Sequence, residues 1–301
     1  MGSGGLGGLF GALLQQAGAD VLFIARGKHL EAMQTSGLKV LSDLGDVTLE
    51  KVNAVADPDG QEPADFIVFT VKGQDTKPAA ELIAPIVAPN TAIISFQNGV
   101  SGLDILAERF GTQAIIPGTT FTPGTLESPG IIRHGGPVCS FTIGEWDGPK
   151  SARLQTLASL SEKAGIGANV SENVRQEAWV KFVAFATYSA LTCLTRQSIF
   201  WVAEQPSTRE IAVKSMTEIL SIAKARGVNL PGDIAERLIA KGRASSDNWK
   251  TSMCNDLEAG KPIELETTSG AIRRMGLELG VPTPTHDFVY KVLKPFAAPL
   301  A

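Results

Sequence analysis

A glycine-rich run at the start of the chain constrains its fold more than any other feature. Residues 2–7 read Gly-Ser-Gly-Gly-Leu-Gly, a G-x-G-x-x-G pattern, and an apolar helical pattern follows over 9–16. Glycine is favoured where the backbone turns sharply and approaches a pyrophosphate, which then binds the N–H groups at a helix start. The run therefore predicts a dinucleotide-binding turn, whose cofactor-binding residues are Gly2, Gly4, Gly5, Leu6 and Gly7.

The same pattern requires a strand before its first glycine. Only Met1 precedes that glycine in this sequence. The first strand of such a fold is normally central in the sheet, so its loss would leave unpaired backbone groups in the core. We therefore expect the first strand to be missing or truncated in the sequence as given.

Apolar runs alternate with helical patterns through the first half of the chain. The runs at 21–25, 66–71 and 92–96 are rich in β-branched and aromatic residues, which is typical of buried parallel strands. A helical pattern at 77–86 separates two of them. This alternation predicts a doubly wound α/β sheet.

The pattern changes along the second half. Short strands at 131–133 and 139–143 and a helix at 151–164 are followed, after about residue 171, by helical patterns alone. Those patterns cover 172–194, 207–225, 232–239, 247–259, 263–279 and 287–294. We predict an α/β Rossmann-type N-terminal domain over 1–168 that binds a dinucleotide, and an all-α C-terminal domain over 169–301.

Composition and charge exclude several classes of protein. The net charge of −4 provides no basic excess for nucleic acid or an anionic membrane surface. Cys139, Cys193 and Cys254 lack the spacing of a disulfide framework or a metal site, which favours a reducing compartment and no metal. We find neither a signal peptide nor a run of about 18 apolar residues that would span a membrane. We therefore expect a cytoplasmic protein that binds neither nucleic acid nor membrane.

The segment after the second apolar run distinguishes NAD from NADP. An acidic residue is expected there in NAD-binding proteins, where it binds the ribose hydroxyls. The sequence instead reads Ala25-Arg26-Gly27-Lys28, so this segment holds no carboxylate that would repel a 2′-phosphate. Arg26 offers a planar set of donors to such a phosphate, and Lys28 adds a second positive charge. These residues favour NADP(H) as cofactor, and the alternative is a solvated basic turn.

Lys181 is the only charged residue between 178 and 195. The apolar residues of this segment cover nearly the whole circumference of a helix, which is typical of a buried helix. Burial disfavours the ammonium form of lysine and lowers its pKa, so Lys181 is a candidate proton donor to a carbonyl oxygen. The alternative is an ordinary surface ion pair with Glu177, one turn earlier. The residues alone leave both interpretations open.

Seven short motifs resemble, in order and spacing, those of the ketopantoate reductase (2-dehydropantoate 2-reductase) family over nearly the whole chain. The motifs are Gly2–Gly7, Ala25-Arg26-Gly27, Thr70-Val71-Lys72, Gln97-Asn98-Gly99, Trp179-Val180-Lys181, Ser252-Met253 and Pro262-Ile263-Glu264. The resemblance implies a Rossmann domain and a helical domain like that of 6-phosphogluconate dehydrogenase, with the active site between them. It implies NADPH-dependent reduction of a 2-oxo acid, with 2-dehydropantoate as the default substrate, in pantothenate and coenzyme A biosynthesis.

The resemblance also implies roles for individual residues. Lys181 would be the general acid at the keto oxygen, and Glu264 an assisting carboxylate that contacts substrate. Asn98 would position the nicotinamide and bind substrate, Ser252 would hold substrate, and Lys72 would lie along the cofactor. Taken alone, each has an ordinary explanation, such as a strand-ending turn for Asn98 or a helix-dipole interaction for Glu264.

The sequence departs from the family pattern on the lysine helix. Family members usually carry asparagine four residues after the lysine, and often another after eight, where this chain has Phe185 and Ser189. Phenylalanine cannot donate a hydrogen bond, so we expect a 2-oxo acid with a more apolar or bulkier tail, and Ser189 stays a substrate-binding candidate. Two alternatives are a paralogous reductase of another 2-oxo acid and a non-catalytic NADP(H)-binding sensor. A homodimer is left open.

Overall fold

The computed structural model describes residues 1–297, whose contacts divide the chain into two compact units. Unit 1 consists of Met1–Gln97 and Gly102–Val174. Unit 2 consists of Asn98–Ser101 and the described residues from Arg175 onward. A short piece of the N-terminal half of the sequence therefore belongs to the C-terminal unit.

Strands and helices alternate in unit 1. The strands are β1 Leu22–Ile24, β2 Leu38–Ser42, β3 Val47–Leu49, β4 Asn53–Val55, β5 Phe66–Phe69, β6 Ala92–Ser95, β7 Ile115–Thr120, β8 Gly124–Ser128, β9 Ile131–His134, β10 Ser140–Ile143 and β11 Gly167–Val170. The helices are α1 Gly5–Gln16, α2 Gly27–Ser36, α3 Thr76–Ile83, α4 Ser101–Phe110 and α5 Ala152–Lys163, with 3₁₀ turns at Gly73–Asp75, Ala84–Ile86 and Thr112–Ala114.

The strands of unit 1 form three hydrogen-bonded groups. One sheet has the order β11-β10-β7-β6-β5, in which β5, β6 and β7 are parallel and β10 is antiparallel to β7. The strands β1 and β4 form a parallel pair, and β3-β2-β9-β8 form a further sheet. Parallel neighbours joined by helices are the doubly wound arrangement that the alternating pattern predicts.

Residues Met1 and Gly2 connect two of these groups through their backbone. The Gly2 N–H donates to the Ile24 carbonyl of β1 at 3.2 Å. On the other side, the Met1 nitrogen donates to the Val68 carbonyl of β5 at 2.8 Å, and the Thr70 N–H donates to the Met1 carbonyl at 3.0 Å. The two residues thus lie between β1 and β5, where the glycine pattern expects the end of a preceding strand.

The core of unit 1 packs α1 against its sheets. Leu9 and Phe10 of α1 are each 1% exposed. Phe10 makes edge-to-face contacts with Phe96 and Phe141, with ring centroids 5.5 Å and 5.8 Å away. Aromatic pairs in this arrangement contribute stability beyond their buried area. They fix α1, and with it the glycine turn at its start.

The described part of unit 2 is helical. Its helices are α6 Val174–Thr195, α7 Ile199–Glu204, α8 Pro206–Ala225, α9 Ile234–Arg243, α10 Ser252–Glu258, α11 Ser269–Leu279 and α12 Pro284–Leu293, with 3₁₀ turns at Leu265–Thr267 and Lys294–Phe296. Helix α6 contributes Phe182, Val183 and Ala186 to a core shared with Met216 and Ile219 of α8. An N-terminal α/β unit and a helical unit confirm the predicted fold class.

Helix α6 corrects one expectation from the sequence. By length and composition it is apolar enough to cross a membrane, although we expected no run of this kind. Of its most apolar stretch, 67% is buried inside the protein. The core helix of a globular protein has the same features, so this helix is weak evidence for a membrane protein.

Several element boundaries differ from those predicted. Helix α1 begins at Gly5 rather than at residue 9, because the glycines themselves form its first turn. Ser252 is the first residue of α10 rather than a mid-helix residue, and the Thr251 hydroxyl caps this helix by accepting from the Cys254 N–H. Helix α7 was not predicted, although Ser198 caps it through its side chain, which is a recognisable signal.

Candidate active site

The glycine turn leaves no room for side chains at three of its positions. Gly2 has a positive φ of 86°, and a Cβ there would lie 2.8 Å from the Val71 nitrogen. A Cβ on Gly5 would lie 2.1 Å from the Gly124 carbonyl oxygen. A Cβ on Gly7 would lie 2.3 Å from the hydroxyl of Thr70. Glycine is therefore required here by close approach of the backbone to neighbouring strands and loops.

Gly4 differs from the other glycines of the turn. No described atom outside its immediate neighbourhood comes within 4 Å of a Cβ built at this position. Gly4 is the N-cap residue of α1 and, as glycine, offers the first turn no side-chain cap. The N–H groups of Gly5, Leu6 and Gly7 lie in the first turn of α1, so no carbonyl of the helix precedes them to accept their hydrogen bonds. N–H groups of this kind bind anions. The space beside Gly4 is open, as a bound pyrophosphate would require.

Side-chain hydrogen bonds, from within the run and from outside it, hold the turn in place. The Thr70 hydroxyl donates to the Gly2 carbonyl at 2.8 Å, and the Ser3 hydroxyl donates to the Ile24 carbonyl at 3.1 Å. His29 accepts from the Gly130 N–H at Nδ1, at 3.0 Å, and therefore donates from Nε2 to the Ser3 carbonyl, at 2.6 Å. One neutral tautomer satisfies both bonds. Sequence reasoning missed the roles of His29 and Thr70, although Thr70 belongs to a quoted motif.

The basic residues predicted to meet the cofactor are exposed. Arg26 follows β1, Lys28 lies in the first turn of α2, and Lys72 follows β5. The Arg26 guanidinium forms an ion pair with Asp75, Nη2 to Oδ2 at 2.9 Å. The segment 25–28 itself contains no carboxylate, as the sequence shows. Folding nevertheless brings the carboxylate of Asp75 to Arg26 from a distant part of the sequence.

Lys181 lies in unit 2, on the first half of α6. The residue is partly buried, and the next two residues, Phe182 and Val183, belong to the core. Burial lowers the pKa of Lys181 to about 8, and the opposite charge of Glu264 raises it by a smaller amount. A lysine with a pKa near neutrality can donate and recover a proton at physiological pH.

Glu264 is buried immediately before the 3₁₀ turn Leu265–Thr267. It is 8% exposed, and its flanking residues, Ile263 and Leu265, belong to a second core cluster of unit 2. The hydroxyls of Thr267 and Thr268 donate to the Glu264 carbonyl at 3.1 Å and 3.0 Å. These contacts fix the backbone from which the carboxyl group acts on Lys181.

The segment that carries Asn98 packs within unit 2. Gly99 has a positive φ of 91°, and a Cβ there would lie 3.0 Å from the Thr267 carbonyl oxygen and 3.8 Å from the ring of Phe182. Val100 is buried in the same core as Phe182. The structure thus brings the residue after Asn98 against both the neighbour of Lys181 and the turn that follows Glu264.

The remaining candidates occupy different environments. Ser252 is exposed at the start of α10, whose Met253 and Cys254 pack in one cluster with Leu265. Phe185 is partly buried, one turn after Lys181. Ser189 is fully buried, and its hydroxyl has no hydrogen-bond partner within residues 1–297. The substrate-binding roles of these residues stay predictions.

Comparisons with known proteins show which family the chain belongs to. Models of the family "Ketopantoate reductase PanE/ApbA" match residues 1–148 and, for its C-terminal part, residues 173–297. A 2-dehydropantoate 2-reductase of Mesorhizobium japonicum is 31% identical, over 98% of this chain and 96% of its own length. A protein of the same name from Archaeoglobus fulgidus is 34% identical, over 93% of this chain and 91% of its own.

A solved structure gives the same result. The PanE/ApbA family ketopantoate reductase of Ralstonia eutropha superposes with a TM-score of 0.88 at 28% identity, covering 99% of this chain and 97% of that one. The resemblance drawn from the motifs is thereby confirmed. The chain belongs to the ketopantoate reductase family of oxidoreductases, which act on CH–OH groups and use NADPH.

Proposed function

We propose that this chain reduces a 2-oxo acid to a 2-hydroxy acid with NADPH, and that Lys181 supplies the proton. The observation that carries the proposal is the partly buried Lys181, whose pKa of about 8 leaves it largely protonated at neutral pH. A non-catalytic nucleotide sensor has no need of such a group. The glycine turn, with its uncapped helix start and the open space beside Gly4, supports binding of a dinucleotide.

The chemistry divides between cofactor and protein. Bound NADPH supplies a hydride to the keto carbon. Lys181 donates a hydrogen bond to the keto oxygen, stabilises the negative charge that develops there, and transfers its proton to form the hydroxyl group. Glu264 favours the ammonium form of Lys181, so the donor is charged when the substrate arrives. We assign Asn98, Ser252 and Ser189 to substrate. We assign Gly2, Gly4, Gly5, Leu6, Gly7, Arg26, Lys28, Lys72 and, at the nicotinamide, also Asn98 to cofactor.

The names of the relatives support 2-dehydropantoate as the default substrate, and therefore a place in pantothenate and coenzyme A biosynthesis. Phe185 favours a second candidate, a 2-oxo acid with a more apolar tail. It presents a partly exposed aromatic ring one turn after Lys181, where the family places a hydrogen-bonding amide. A hydroxyl-bearing tail would lose its partner at this position.

Steady-state oxidation of NADPH against a panel of 2-oxo acids tests the proposal. The panel contains 2-dehydropantoate, 2-oxo acids with branched aliphatic tails, and 2-oxo acids with aromatic tails. We expect turnover with at least one of them. The highest kcat/KM on 2-dehydropantoate supports the default substrate, and the highest value on an apolar acid supports the role of Phe185.

The variant Lys181→Ala separates an enzyme from a sensor. We expect it to lose turnover by about 10²- to 10⁴-fold, because general acid catalysis contributes that much, while it binds NADPH as before. Lys214→Ala is the matched control, since it removes an exposed lysine of unit 2 that pairs with Glu210. The proposal is contradicted if the native protein turns over none of the acids. It is also contradicted if Lys181→Ala keeps the native turnover.

The two parts of the chain receive corresponding roles in the proposal. Residues 1–168 bind NADP(H), and residues 169–301 hold the substrate and Lys181, with Asn98 of the first part also contacting the substrate. The partner is thus a small molecule. A homodimer and a cytoplasmic location stay predictions, and light scattering of the purified protein checks the first of them.

A further inference from the structure

The ion pair between Arg26 and Asp75 has a consequence for the choice of cofactor, and this inference rests on the proposed binding of NADP(H). The two residues are separated by 49 positions in the sequence, and their charged atoms lie 2.9 Å apart. The Arg26 side chain is 87% exposed and that of Asp75 is 34% exposed. Exposed pairs of this kind contribute little to stability, so a ligand can rearrange them at low cost.

The pair lies where a dinucleotide presents its adenosine ribose. In folds of this type, the residue at the carboxyl end of the strand after the glycine turn meets the 2′ position of that ribose. Here that strand is β1, and Arg26 follows it as the N-cap of α2. A phosphate at the 2′ position would therefore approach the guanidinium that Asp75 already contacts.

The loop that carries Asp75 is fixed by hydrogen bonds. The Thr76 hydroxyl donates to the Gly73 carbonyl at 2.7 Å. The Gln97 side-chain amide donates to Thr76 Oγ1 at 2.8 Å and to the Val71 carbonyl at 3.0 Å. These bonds tie the loop on both sides of Asp75 to the end of β6. Asp75 has therefore less freedom than Arg26 to move away from an incoming anion.

We propose that Asp75 is a specificity-determining residue that lowers the preference for NADPH over NADH. Its negative charge repels a 2′-phosphate and competes with that phosphate for the donors of Arg26. The same carboxylate accepts hydrogen bonds from the free ribose hydroxyls of NADH, as an acidic residue near this position does in NAD-binding proteins. Arg26 and Asp75 together thus give a site that accepts both nucleotides.

Calorimetric titration of the purified protein with NADPH and with NADH tests this proposal without relying on turnover. The variant is Asp75→Asn, which removes the charge and keeps the shape; in residues 1–297 the Asp75 side chain caps no helix, so no cap is lost. Asp75→Glu keeps the charge. Glu81→Gln is the matched control, because it breaks another exposed ion pair of unit 1, with Arg109, also at 2.9 Å.

We expect Asp75→Asn to tighten NADPH binding by about 5- to 20-fold relative to NADH, since a like charge beside the phosphate is removed. Asp75→Glu and Glu81→Gln should keep the native ratio. If the ratio of NADPH affinity to NADH affinity in Asp75→Asn lies within about twofold of the native ratio, the assignment of Asp75 is wrong. NADPH binding by the native protein would still support the proposed cofactor. Failure of the native protein to bind either nucleotide refutes the cofactor proposal itself.

Discussion

A single ammonium group links the core of unit 2 to the proposed chemistry. Lys181 lies on a helix whose neighbouring positions are apolar and buried, so water solvates its charge incompletely. Glu264 opposes this effect with a negative charge. The balance leaves the pKa of Lys181 at about 8 instead of its ordinary value of 10.5.

The pH dependence of turnover follows from this pKa. Reduction needs the protonated lysine, and the ammonium is lost as the pH rises through about 8. We therefore expect kcat for reduction of the 2-oxo acid to be constant at neutral pH and to fall about tenfold per pH unit well above 8. A pH–rate profile measured with saturating NADPH checks this.

Removal of the opposing charge should shift that profile. Because Glu264 raises the pKa of Lys181, Glu264→Gln should move the falling limb to lower pH. Glu266→Gln is the control, since Glu266 pairs with Arg274 and Lys294 instead. A limb that stays in place in Glu264→Gln argues that another group controls it.

His29 is a second residue whose replacement is informative. It is 9% exposed and bridges the Ser3 carbonyl to the Gly130 N–H. We expect His29→Ala to lower the free energy of unfolding by about 1–3 kcal/mol, because two buried backbone groups lose their partner. It should also weaken NADPH binding, since Ser3 belongs to the glycine turn. Denaturant unfolding and calorimetry measure the two effects.

His134 provides the matched control for His29. It is 1% exposed, and its ring bonds to Ser42 and Val138 instead of a residue of the glycine turn. His134→Ala should therefore destabilise unit 1 to a similar extent and leave the affinity for NADPH unchanged. Equal losses of affinity in both variants would show that destabilisation alone weakens binding.

At the scale of elements, two adjacent glycines at the start of α1 are needed for different reasons, one for packing and one for ligand binding. Gly5 faces the backbone of Gly124, whereas Gly4 faces open space. Gly4 has a φ of −76°, which other residues adopt without strain. Substitution at the two positions therefore separates folding from binding.

We expect Gly5→Ala to lower the free energy of unfolding by about 1–3 kcal/mol, because the added methyl overlaps a carbonyl oxygen. Gly4→Ala should change it by less than about 1 kcal/mol and weaken NADPH binding by about tenfold or more, because the methyl enters the space proposed for the pyrophosphate. Thermal unfolding and nucleotide titration of both variants decide this. Native-like NADPH binding by Gly4→Ala would place the cofactor elsewhere.

The sequence predicts the elements of this fold better than the contacts between them. The glycine run, the apolar strands and the long apolar helix are local patterns, and each appears near its predicted position. The strands β2, β3, β4, β7, β8 and β11 were missed, because pairing across the sheet stabilises them more than any local pattern indicates. The pairing of Asp75 with Arg26 and the fixation of Ser3 by His29 depend on side chains far apart in the sequence, so local patterns do not reveal them.

At the scale of the molecule, the two units have separate hydrophobic cores. Leu106 is fully buried in a core of unit 1, whereas Val100 is 4% exposed in the core of unit 2, although only six positions separate them. Truncation of each side chain should therefore destabilise a different unit.

We expect Val100→Ala to cost about 2–3 kcal/mol and to accelerate hydrogen exchange in α6 and α8, because the lost methyl groups leave a cavity among those helices. Leu106→Ala should cost about 2–5 kcal/mol and accelerate exchange in β5 and β6. Hydrogen exchange followed by mass spectrometry resolves the two patterns. Faster exchange in unit 1 alone after Val100→Ala would contradict the assignment of Val100 to unit 2.

The placement of Asn98–Ser101 limits how this chain can be recombined with its relatives. The backbone passes from one unit to the other at 97/98, returns at 101/102 and passes again at 174/175. A chimera joined at residue 174 would therefore combine the helical half of one parent with residues 98–101 of the other parent, although these residues pack within the helical unit. Crossovers should be tolerated best when those four residues and the helical half come from the same parent.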